Sequence, residues 1–392
     1  MVSTLQLFNP PLSQPSQHQS MQPYLAKTLA GLEPVLAAEL LAMGATEIRP
    51  LKRAVSFTGD LSLLYRANYE LRSALRILVP IHSFSAYNER DLYEAVREIN
   101  WAVYMDVGDT LAVDAIAQGE VFRHSQYLGL LTKDAIVDQF RDRYNRRPNV
   151  STIGPSLRIN VHVQGTHADI SLDASGDSLH RRNYRRDTVE APLNEVLAAG
   201  MVLLSGWNGQ GPFVDPMCGS GTLPIEAAMH ATNTPPQIKR ESFGFFKWPD
   251  FDQKLWKTLK SEADAKIQPF EFQILAGDKD PRARNATALN LMSAGLETVV
   301  RVEKTPFEKL EAPEPPGTLL MNPPYDERLK IEDTVAFYKN IGDILKKRWP
   351  GWSAWIISSN RDALKHIGLR AAQRIPLING ALECSYQKFE MY

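Results

Sequence analysis

The sequence predicts an α/β protein whose C-terminal half is a doubly wound, mostly parallel sheet. Three observations predict this fold class. Short apolar runs such as 213–215 and 317–321 alternate with segments of helical periodicity. A glycine-rich turn at 219–222 lies between an apolar run and a helix-like segment, as in nucleotide-binding sheets. Asn379-Gly380 separates two alternating segments, so an antiparallel hairpin is expected to close the sheet.

Length and composition predict several domains and exclude some functions. A chain of 392 residues with 44% hydrophobic content can form two or three cores. The net charge of −1 does not indicate a nucleic-acid partner, so any such binding must come from local basic clusters. Two cysteines exclude a disulfide framework and a cysteine zinc site, and no metal is expected. The sequence contains neither an apolar run of about 18 residues nor a signal-like start. We therefore expect no membrane-spanning segment and no export, and we expect the protein to be cytoplasmic.

Changes in composition divide the chain into four segments. Residues 1–23 are rich in Gln, Ser and Pro and predict a flexible tail. Residues 24–82 predict a compact α/β region, and residues 83–175 predict a small α+β domain with helices at 91–99 and 132–144. Residues 176–392 form the doubly wound domain. Its strands are expected at 213–215, 270–276, 299–303, 317–321, 354–358 and in the hairpin 378–391.

The first strand of that domain leads into a candidate cofactor site. Asp215 ends the strand, and the turn that follows contains Pro216, Cys218, Gly219, Ser220, Gly221 and Thr222. Glycines let the backbone approach a ligand closely. The turn lacks the lysine of a phosphate-binding loop and the spacing of a dinucleotide fingerprint, which argues against NTP and NAD. A carboxylate here suits a cofactor with a cationic amino-acid end.

A second carboxylate, Asp278, follows the second strand, where doubly wound folds bind ribose hydroxyls. The alternative interpretation is an acidic turn, with Asp280 capping the helix expected at 282–292.

Asn322-Pro323-Pro324-Tyr325 follows the fourth strand and predicts a binding site for a flat base. The prolines fix the backbone and remove two donors, which leaves rigid acceptors. The Asn322 side chain and the Pro323 carbonyl can hold the two hydrogens of an exocyclic amine, and Tyr325 can stack on the ring. The alternative is a Pro-Pro turn without function.

Two arginine clusters predict RNA contacts. Arg141, Arg143, Arg146 and Arg147 end the second helix of the α+β domain, and Arg181, Arg182, Arg185 and Arg186 surround Tyr184. Arginine with an interleaved aromatic suits phosphate contacts and base stacking. The alternatives are a solvated helix end and a solvated linker. The aromatic stretch 243–256 favours a packed cover over the sheet rather than a base-stacking platform.

Taken together, these motifs resemble those of a known enzyme family. Segments 215–222, 277–280 and 322–325 occur in the order found in class I (Rossmann-like) S-adenosylmethionine-dependent methyltransferases with an NPPY motif, whose sheet has seven strands. The segments 180–185, 191–193, 321–329 and 379–382 narrow the resemblance to THUMP-domain RNA methyltransferases of the RlmL N-terminal half type, which methylate guanine N2. The resemblance covers about residues 24–392 and implies that 83–175 is an RNA-binding THUMP domain.

The resemblance implies S-adenosylmethionine as cofactor and structured RNA, 23S rRNA, as substrate. It implies cofactor contacts for 215–222 and Asp278 and amine contacts for 322–325. The alternatives are guanine N2 of tRNA, adenine N6 of RNA or DNA, and an RNA-binding assembly factor without activity. Two positions depart from the pattern. Pro306-Phe307 stands where an acidic residue often lies near the cofactor adenine, so that contact is unassigned, and Asp326 replaces a frequent glycine.

Overall fold

The structure is a computed structural model that describes residues 20–188, 192–324 and 331–392, apart from the side chains of 331–333. Two sheets form its framework, an eight-stranded sheet in the N-terminal half and a seven-stranded sheet in the C-terminal half. Most of the predicted tail lies outside the described residues. Its last residues, Gln22 and Pro23, belong to the first strand.

The N-terminal sheet has the strand order β2-β3-β1-β4-β8-β7-β5-β6. Its elements are β1 (Gln22–Lys27), α1 (Glu33–Ala42), β2 (Thr46–Leu51), β3 (Ala54–Gly59), α2 (Leu61–Glu70), β4 (Arg76–Ser85), α3 (Glu89–Glu98), β5 (Thr110–Gln118), α4 (Ser125–Tyr144), β6 (Asn149–Val150), β7 (Leu157–Gln164) and β8 (His167–Asp173). The ten-residue β4 pairs with β1 through 76–78 and with β8 through 78–85. The sheet therefore runs without a break through the boundary expected at residue 82.

Helix α4 begins at Ser125, seven residues before the predicted start. Thr132 was interpreted as the opening residue, but it is fully buried within the helix. Gly129 made the preceding residues resemble a turn. A Cβ at Gly129 would lie 3.5 Å from the Val113 carbonyl oxygen, so this glycine faces the neighbouring strand β5. The pattern was ambiguous because a glycine at a close contact and a glycine in a turn look alike in sequence.

The C-terminal sheet has the order β11-β10-β9-β12-β13-β15-β14, which confirms the predicted sheet and its closing hairpin. Its elements are α5 (Glu195–Leu204), β9 (Phe213–Asp215), α6 (Thr222–Ala231), α7 (Gln253–Asp264), β10 (Ile274–Gly277), α8 (Pro281–Ala294), β11 (Val300–Glu303), β12 (Thr318–Met321), α9 (Ile331–Arg348), β13 (Ser353–Ser358), α10 (Arg361–Lys365), β14 (Gln373–Asn379) and β15 (Leu382–Glu390). Strands β9 to β13 pair in parallel, and β15 is antiparallel to both β13 and β14.

The aromatic stretch 243–256 packs, as predicted, but against the N-terminal region instead of the C-terminal sheet. Phe245 stacks on Tyr65 of α2 with ring centroids 4.5 Å apart, and Trp256 of α7 meets Tyr69 edge-on at 5.5 Å. The Tyr69 hydroxyl donates to the Asp264 carboxylate at 2.6 Å. The seam formed by α2 and residues 243–264 thus packs the two halves of the molecule together.

Candidate active site

The candidate site lies at the point of the C-terminal sheet where the strand order reverses, with successive strands added on one side of β9 and then on the other. Strand β9 is flanked by β10 and β12, with Val214 opposite both Leu275 and Leu319. In doubly wound sheets, ligands bind beyond the carboxyl ends of the strands at such a point. Asp215 ends β9, Asp278 follows β10, and Asn322 follows β12. The fold therefore places three predicted site residues at one edge of the sheet.

The glycine-rich turn is held tightly against the neighbouring strand. The Cys218 amide donates to the Gly277 carbonyl at 2.8 Å, and the Gly219 amide donates to Asp278 Oδ2 at 3.0 Å. Gly221, the residue before α6, has φ of 84°, and a Cβ there would lie only 2.8 Å from the Thr287 side chain. Glycine is required at this position because both its backbone conformation and the contact exclude a side chain.

Asp215 carries a buried carboxylate oxygen that nothing in the described part of the chain satisfies. The residue is 1% exposed; Oδ1 accepts from the Met217 amide at 3.1 Å, and Oδ2 has no partner there. Burial raises the pKa of this carboxyl well above its usual range, and nearby Asp278 adds to the rise while the Met217 amide opposes it. Because a buried unpaired carboxylate is costly, the position is suited to a cationic ligand group.

Asp278 is half-buried, and both its oxygens accept backbone hydrogen bonds. Oδ2 accepts from Gly219, and Oδ1 accepts from the Asp280 amide at 2.9 Å. Asp280 caps α8 by accepting from the Arg282 amide, as the alternative interpretation had it. A carboxylate oxygen has more than one acceptor site, so Asp278 can take further donors.

Arg185 holds the glycine-rich turn from the other side. Its guanidinium donates to Ser220 Oγ at 2.9 Å and to Thr222 Oγ1 at 3.0 Å. The same group pairs with Glu195 Oε1 at 2.7 Å. Every one of these partners belongs to the C-terminal domain. These contacts fix the turn, and Arg185, one of the predicted RNA contacts, is half-buried among them.

Asn290 of α8 is a second support of the turn, and sequence reasoning missed it. Its Nδ2 donates to the Ser220 carbonyl and to the Asp187 carbonyl, both at 2.9 Å. Its Oδ1 accepts from the Arg186 amide at 2.6 Å. Asn290 lies within the helix predicted at 282–292, and a single asparagine inside a helix does not show in sequence which distant loop it will bind.

The side chains of Arg182 and Tyr184, two of the predicted RNA contacts, are both buried. Arg182 is 1% exposed, with Nε 3.5 Å from Glu226 Oε1 and donors to the Leu179 and Arg72 carbonyls. The Tyr184 hydroxyl donates to the same Glu226 oxygen at 3.3 Å. These residues form an internal ion-pair network at the start of the domain.

The remaining predicted RNA-binding arginines are exposed. Arg181 lies 3.8 Å from Asp177, and Arg186 donates through Nε to Ser293. In the other cluster, Arg141 pairs with Asp138, and Arg143 donates to Asn100. Arg146 and Arg147 follow the end of α4 and are also exposed. Their accessibility is compatible with RNA contact and does not test it.

Asn322 and Pro324 are half-buried and Pro323 is buried. Asn322 Oδ1 is enclosed, and the described residues offer it no hydrogen-bond donor. Asn322 Oδ1 and Asp215 Oδ2 are therefore both buried acceptors without a donor among the described residues. Tyr325, Asp326 and Ala191 lie outside the described residues.

Two general properties of the described residues accompany this site. None of their helices combines the length and apolar character needed to cross a membrane. Within 20–188, 192–324 and 331–392, no group of three or more His, Cys, Asp or Glu side chains is arranged to hold a metal ion.

Comparison with protein families finds three matches along the chain. The RMKL-like methyltransferase domain matches residues 182–388, the RlmL ferredoxin-like domain matches 24–78, and the THUMP domain matches 86–173. The ferredoxin-like match ends within β4, the THUMP match begins directly after β4, and the methyltransferase match begins at Arg182.

Relatives share most of the chain. It is 39% identical over 373 residues to "Putative RNA methyltransferase slr0064" of Synechocystis sp., with 95% of this chain and 97% of that one covered. It is 40% identical over 381 residues to "Ribosomal RNA large subunit methyltransferase K/L" of Syntrophotalea carbinolica, covering 94% of this chain but 53%, about half, of that one. The fold matches the crystal structure of SMU.472, "a putative methyltransferase complexed with SAH", at a TM-score of 0.86 and 30% identity, covering 95% and 98%.

Proposed function

The chain belongs to the RMKL-like methyltransferase family, and on that premise we propose that it transfers a methyl group from S-adenosylmethionine to the exocyclic N2 of a guanine in 23S rRNA. The THUMP domain and the ribosomal relative support RNA as substrate. The single observation that carries the choice of an amine acceptor is the buried Asn322 Oδ1 at the switch point, which has no hydrogen-bond donor among the described residues.

The cofactor is S-adenosylmethionine, and the residues at the site fit it. The free Asp215 Oδ2 suits the ammonium of its methionine end, and Asp278 can accept a ribose hydroxyl. Pro216, Cys218, Gly219 and Gly221 bring backbone close to the ligand, while Ser220 and Thr222 are held by Arg185. When bound, the cofactor supplies an electrophilic methyl group on a cationic sulfur.

Asn322, Pro323 and Pro324 prepare the amine for attack. The guanine N2 lone pair is delocalised into the ring, and it becomes nucleophilic as the nitrogen moves toward tetrahedral geometry. Asn322 Oδ1 and the Pro323 carbonyl accept the two N–H groups and favour that change. The two acceptors would direct the N2 lone pair toward the methyl group that the bound cofactor would supply, and the surplus amine proton would leave to solvent. Tyr325 stacks on the base, which has been extruded from its helix.

The N-terminal half selects the RNA. The exposed Arg141, Arg143, Arg146 and Arg147 contact phosphates, and the exposed Arg181 and Arg186, at the start of the C-terminal domain, add further phosphate contacts. The aromatic seam between α2 and residues 243–264 holds the two halves in a fixed relation. Because the two halves are held together, RNA that binds to the N-terminal half can place its target base at the site in the C-terminal half.

The test is deletion of the gene, followed by separate digestion of rRNA and tRNA and mass spectrometry of the nucleosides. We expect N2-methylguanosine to fall in 23S rRNA only. Loss from tRNA would move the substrate to tRNA, and loss of N6-methyladenosine would move the acceptor to adenine. Unchanged nucleosides in both pools would contradict the proposal.

A further inference from the structure

A third unpartnered oxygen lies at the same edge of the sheet as Asp215 and Asn322. Ser359 follows β13, the neighbour of β12, and its buried Oγ has no hydrogen-bond partner in the described part of the chain. The adjacent Ser358 hydroxyl, by contrast, bonds to Tyr338 at 2.7 Å and accepts from the Asn360 amide at 3.1 Å. Ser359 therefore has no evident structural task for its hydroxyl.

The strand alternation turns the three oxygens toward one face of the sheet. Phe213, Leu320 and Ile357 pack in the core beneath α5 and α6, whereas Val214, Met321 and Ile356 pack in the core on the opposite face. Asp215, Asn322 and Ser359 each follow a member of the first set by two residues. Asp215 ends its strand, and Asn322 and Ser359 come directly after theirs, so continuing the period-two alternation by one residue places all three on the same side.

The register gives the separation between Asn322 and Ser359. Met321 lies opposite Ile356, so Ser359 comes opposite Pro324 when the pairing is continued. One strand spacing of about 4.8 Å and two residues of about 3.3 Å place the two Cα atoms about 8 Å apart. A flat base with a hydrogen bond at either end spans such a distance.

We propose that Ser359 is a base-contacting residue whose hydroxyl binds the edge of the target base beside its exocyclic amine. The assignment rests on the proposed function, since it needs a base at Asn322. A hydroxyl both donates and accepts, so it can take the N1–H of guanine. With the amine held at Asn322 and the edge held at Ser359, the ring cannot rotate in its plane, and the amine stays in line with the methyl group.

Other buried polar atoms without a partner do not compete for this role. The indole nitrogens of Trp349 and Trp352 lie in the core beneath α9, away from the strand ends. Thr132 Oγ1 lies within α4 in the N-terminal half. Besides Asp215 Oδ2, which is assigned to the cofactor, Ser359 Oγ is the unpartnered oxygen of the described residues that shares both the edge and the face of the sheet with Asn322.

The experiment compares Ser359→Ala with Ser353→Ala in the full-length protein. Ser353 begins the same strand at the end away from the site, and its hydroxyl donates to Glu390 at 2.7 Å. The substrate is 23S rRNA purified from a strain that lacks the gene. Steady-state methyl transfer gives kcat/KM for RNA, calorimetry gives the Kd of S-adenosylmethionine, and thermal unfolding gives Tm.

We expect Ser359→Ala to lower kcat/KM for RNA at least tenfold while the cofactor Kd stays within twofold and Tm does not fall. Ser353→Ala should leave kcat/KM unchanged. Wild-type activity for Ser359→Ala, or a parallel loss of cofactor binding, overturns the assignment. Absence of methyl transfer by the wild-type protein to this rRNA overturns the proposed substrate instead, and transfer to tRNA would move the same comparison to tRNA.

Discussion

The two arginine clusters have similar composition, but only the second contains arginines that are enclosed by the protein. Arg141, Arg143, Arg146 and Arg147 are all exposed around the end of α4. In the second cluster, Arg182 is enclosed by Glu226 and two carbonyls, and Arg185 is held by Glu195 and the glycine-rich turn. The first cluster is available to a partner, and the second builds the domain that binds the cofactor.

The difference comes from residues distant in sequence. Glu226 faces Arg182 because α6 follows the glycine-rich turn and packs beneath the linker. Burial raises the pKa of Glu226, and Arg182 opposes that rise. A buried arginine needs a carboxylate at close range, whereas an exposed one has water. An arginine-rich segment therefore predicts RNA binding only where no buried acid lies opposite it.

The largest expected effect comes from Arg182→Ala compared with Arg181→Ala. Removing Arg182 leaves Glu226 buried without its cation, which costs about 3–5 kcal/mol of unfolding free energy. Arg181 is 65% exposed, so its removal should change stability by less than about 0.5 kcal/mol. Urea unfolding of the two variants measures both values. Equal losses of unfolding free energy in the two variants would contradict the claim that Arg182 is a buried structural residue and Arg181 is not.

Asp215 extends the comparison to a buried carboxyl group, one oxygen of which has no partner among the described residues. Its pKa is raised in the folded protein, so its contribution to stability is complete below the unfolded pKa of about 3.9 and is lost as pH rises through the folded pKa. A cofactor ammonium favours the carboxylate, so cofactor binding releases a proton and strengthens with pH over the same window. Asp215→Asn should weaken binding by about 1.5–3 kcal/mol.

Calorimetry at several pH values in two buffers of different ionisation enthalpy measures the affinity and the proton release of Asp215. The Asn variant should show neither the proton release nor the rise in affinity. Retention of both in that variant would place the titrating group elsewhere.

Arg185→Gln tests whether the second cluster supports the cofactor turn. The variant loses the ion pair with Glu195 and weakens the contacts to Ser220 and Thr222. We expect the Kd of S-adenosylmethionine to rise about tenfold, which corresponds to about 1.4 kcal/mol. Arg181→Ala serves as the control with unchanged Kd. Weakened RNA binding with normal cofactor binding would restore the original interpretation of this residue.

The smallest effect is expected from the double variant Arg146→Ala, Arg147→Ala. Both side chains are exposed, so the unfolding free energy should change by less than about 0.5 kcal/mol per residue. RNA affinity should fall, and the slope of log K against log salt should decrease by about 0.7 per lost phosphate contact if the bound segment is single-stranded. Filter binding at several salt concentrations measures both the RNA affinity and this slope. An unchanged slope would remove this cluster from the RNA path.

Much of the fold could be predicted because its signals are local. The alternation around Asn379-Gly380 predicted the hairpin, and strand 213–215 with the following glycines predicted the turn. The start of α4 was missed because Gly129 resembles a turn in sequence. Helix α7 was not predicted. The aromatic residues around it indicated that the segment packs, but the sequence does not show that it packs against α2.

The positions of Asp215 and Asn322 at one edge of the sheet could be predicted, because each follows or ends an apolar strand that is visible in the sequence. The site was not predictable where a residue acts through tertiary contacts. Asn290 is 104 residues from Arg186 and 103 residues from Asp187, and the Ser359 hydroxyl is marked out only by its lack of a partner among the described residues. Both depend on distances that a single sequence does not contain.

The central claim is that Asn322 acts on the amine and not on the cofactor. Asn322→Ala and the wild-type protein are compared by single-turnover methyl transfer to unmethylated 23S rRNA and by calorimetry with S-adenosylmethionine. The account predicts a loss of methyl transfer of about 10²–10³, the usual cost of removing a preorganised polar group, with cofactor affinity within twofold. An equal loss of transfer and cofactor affinity, or full transfer by the variant, would contradict it.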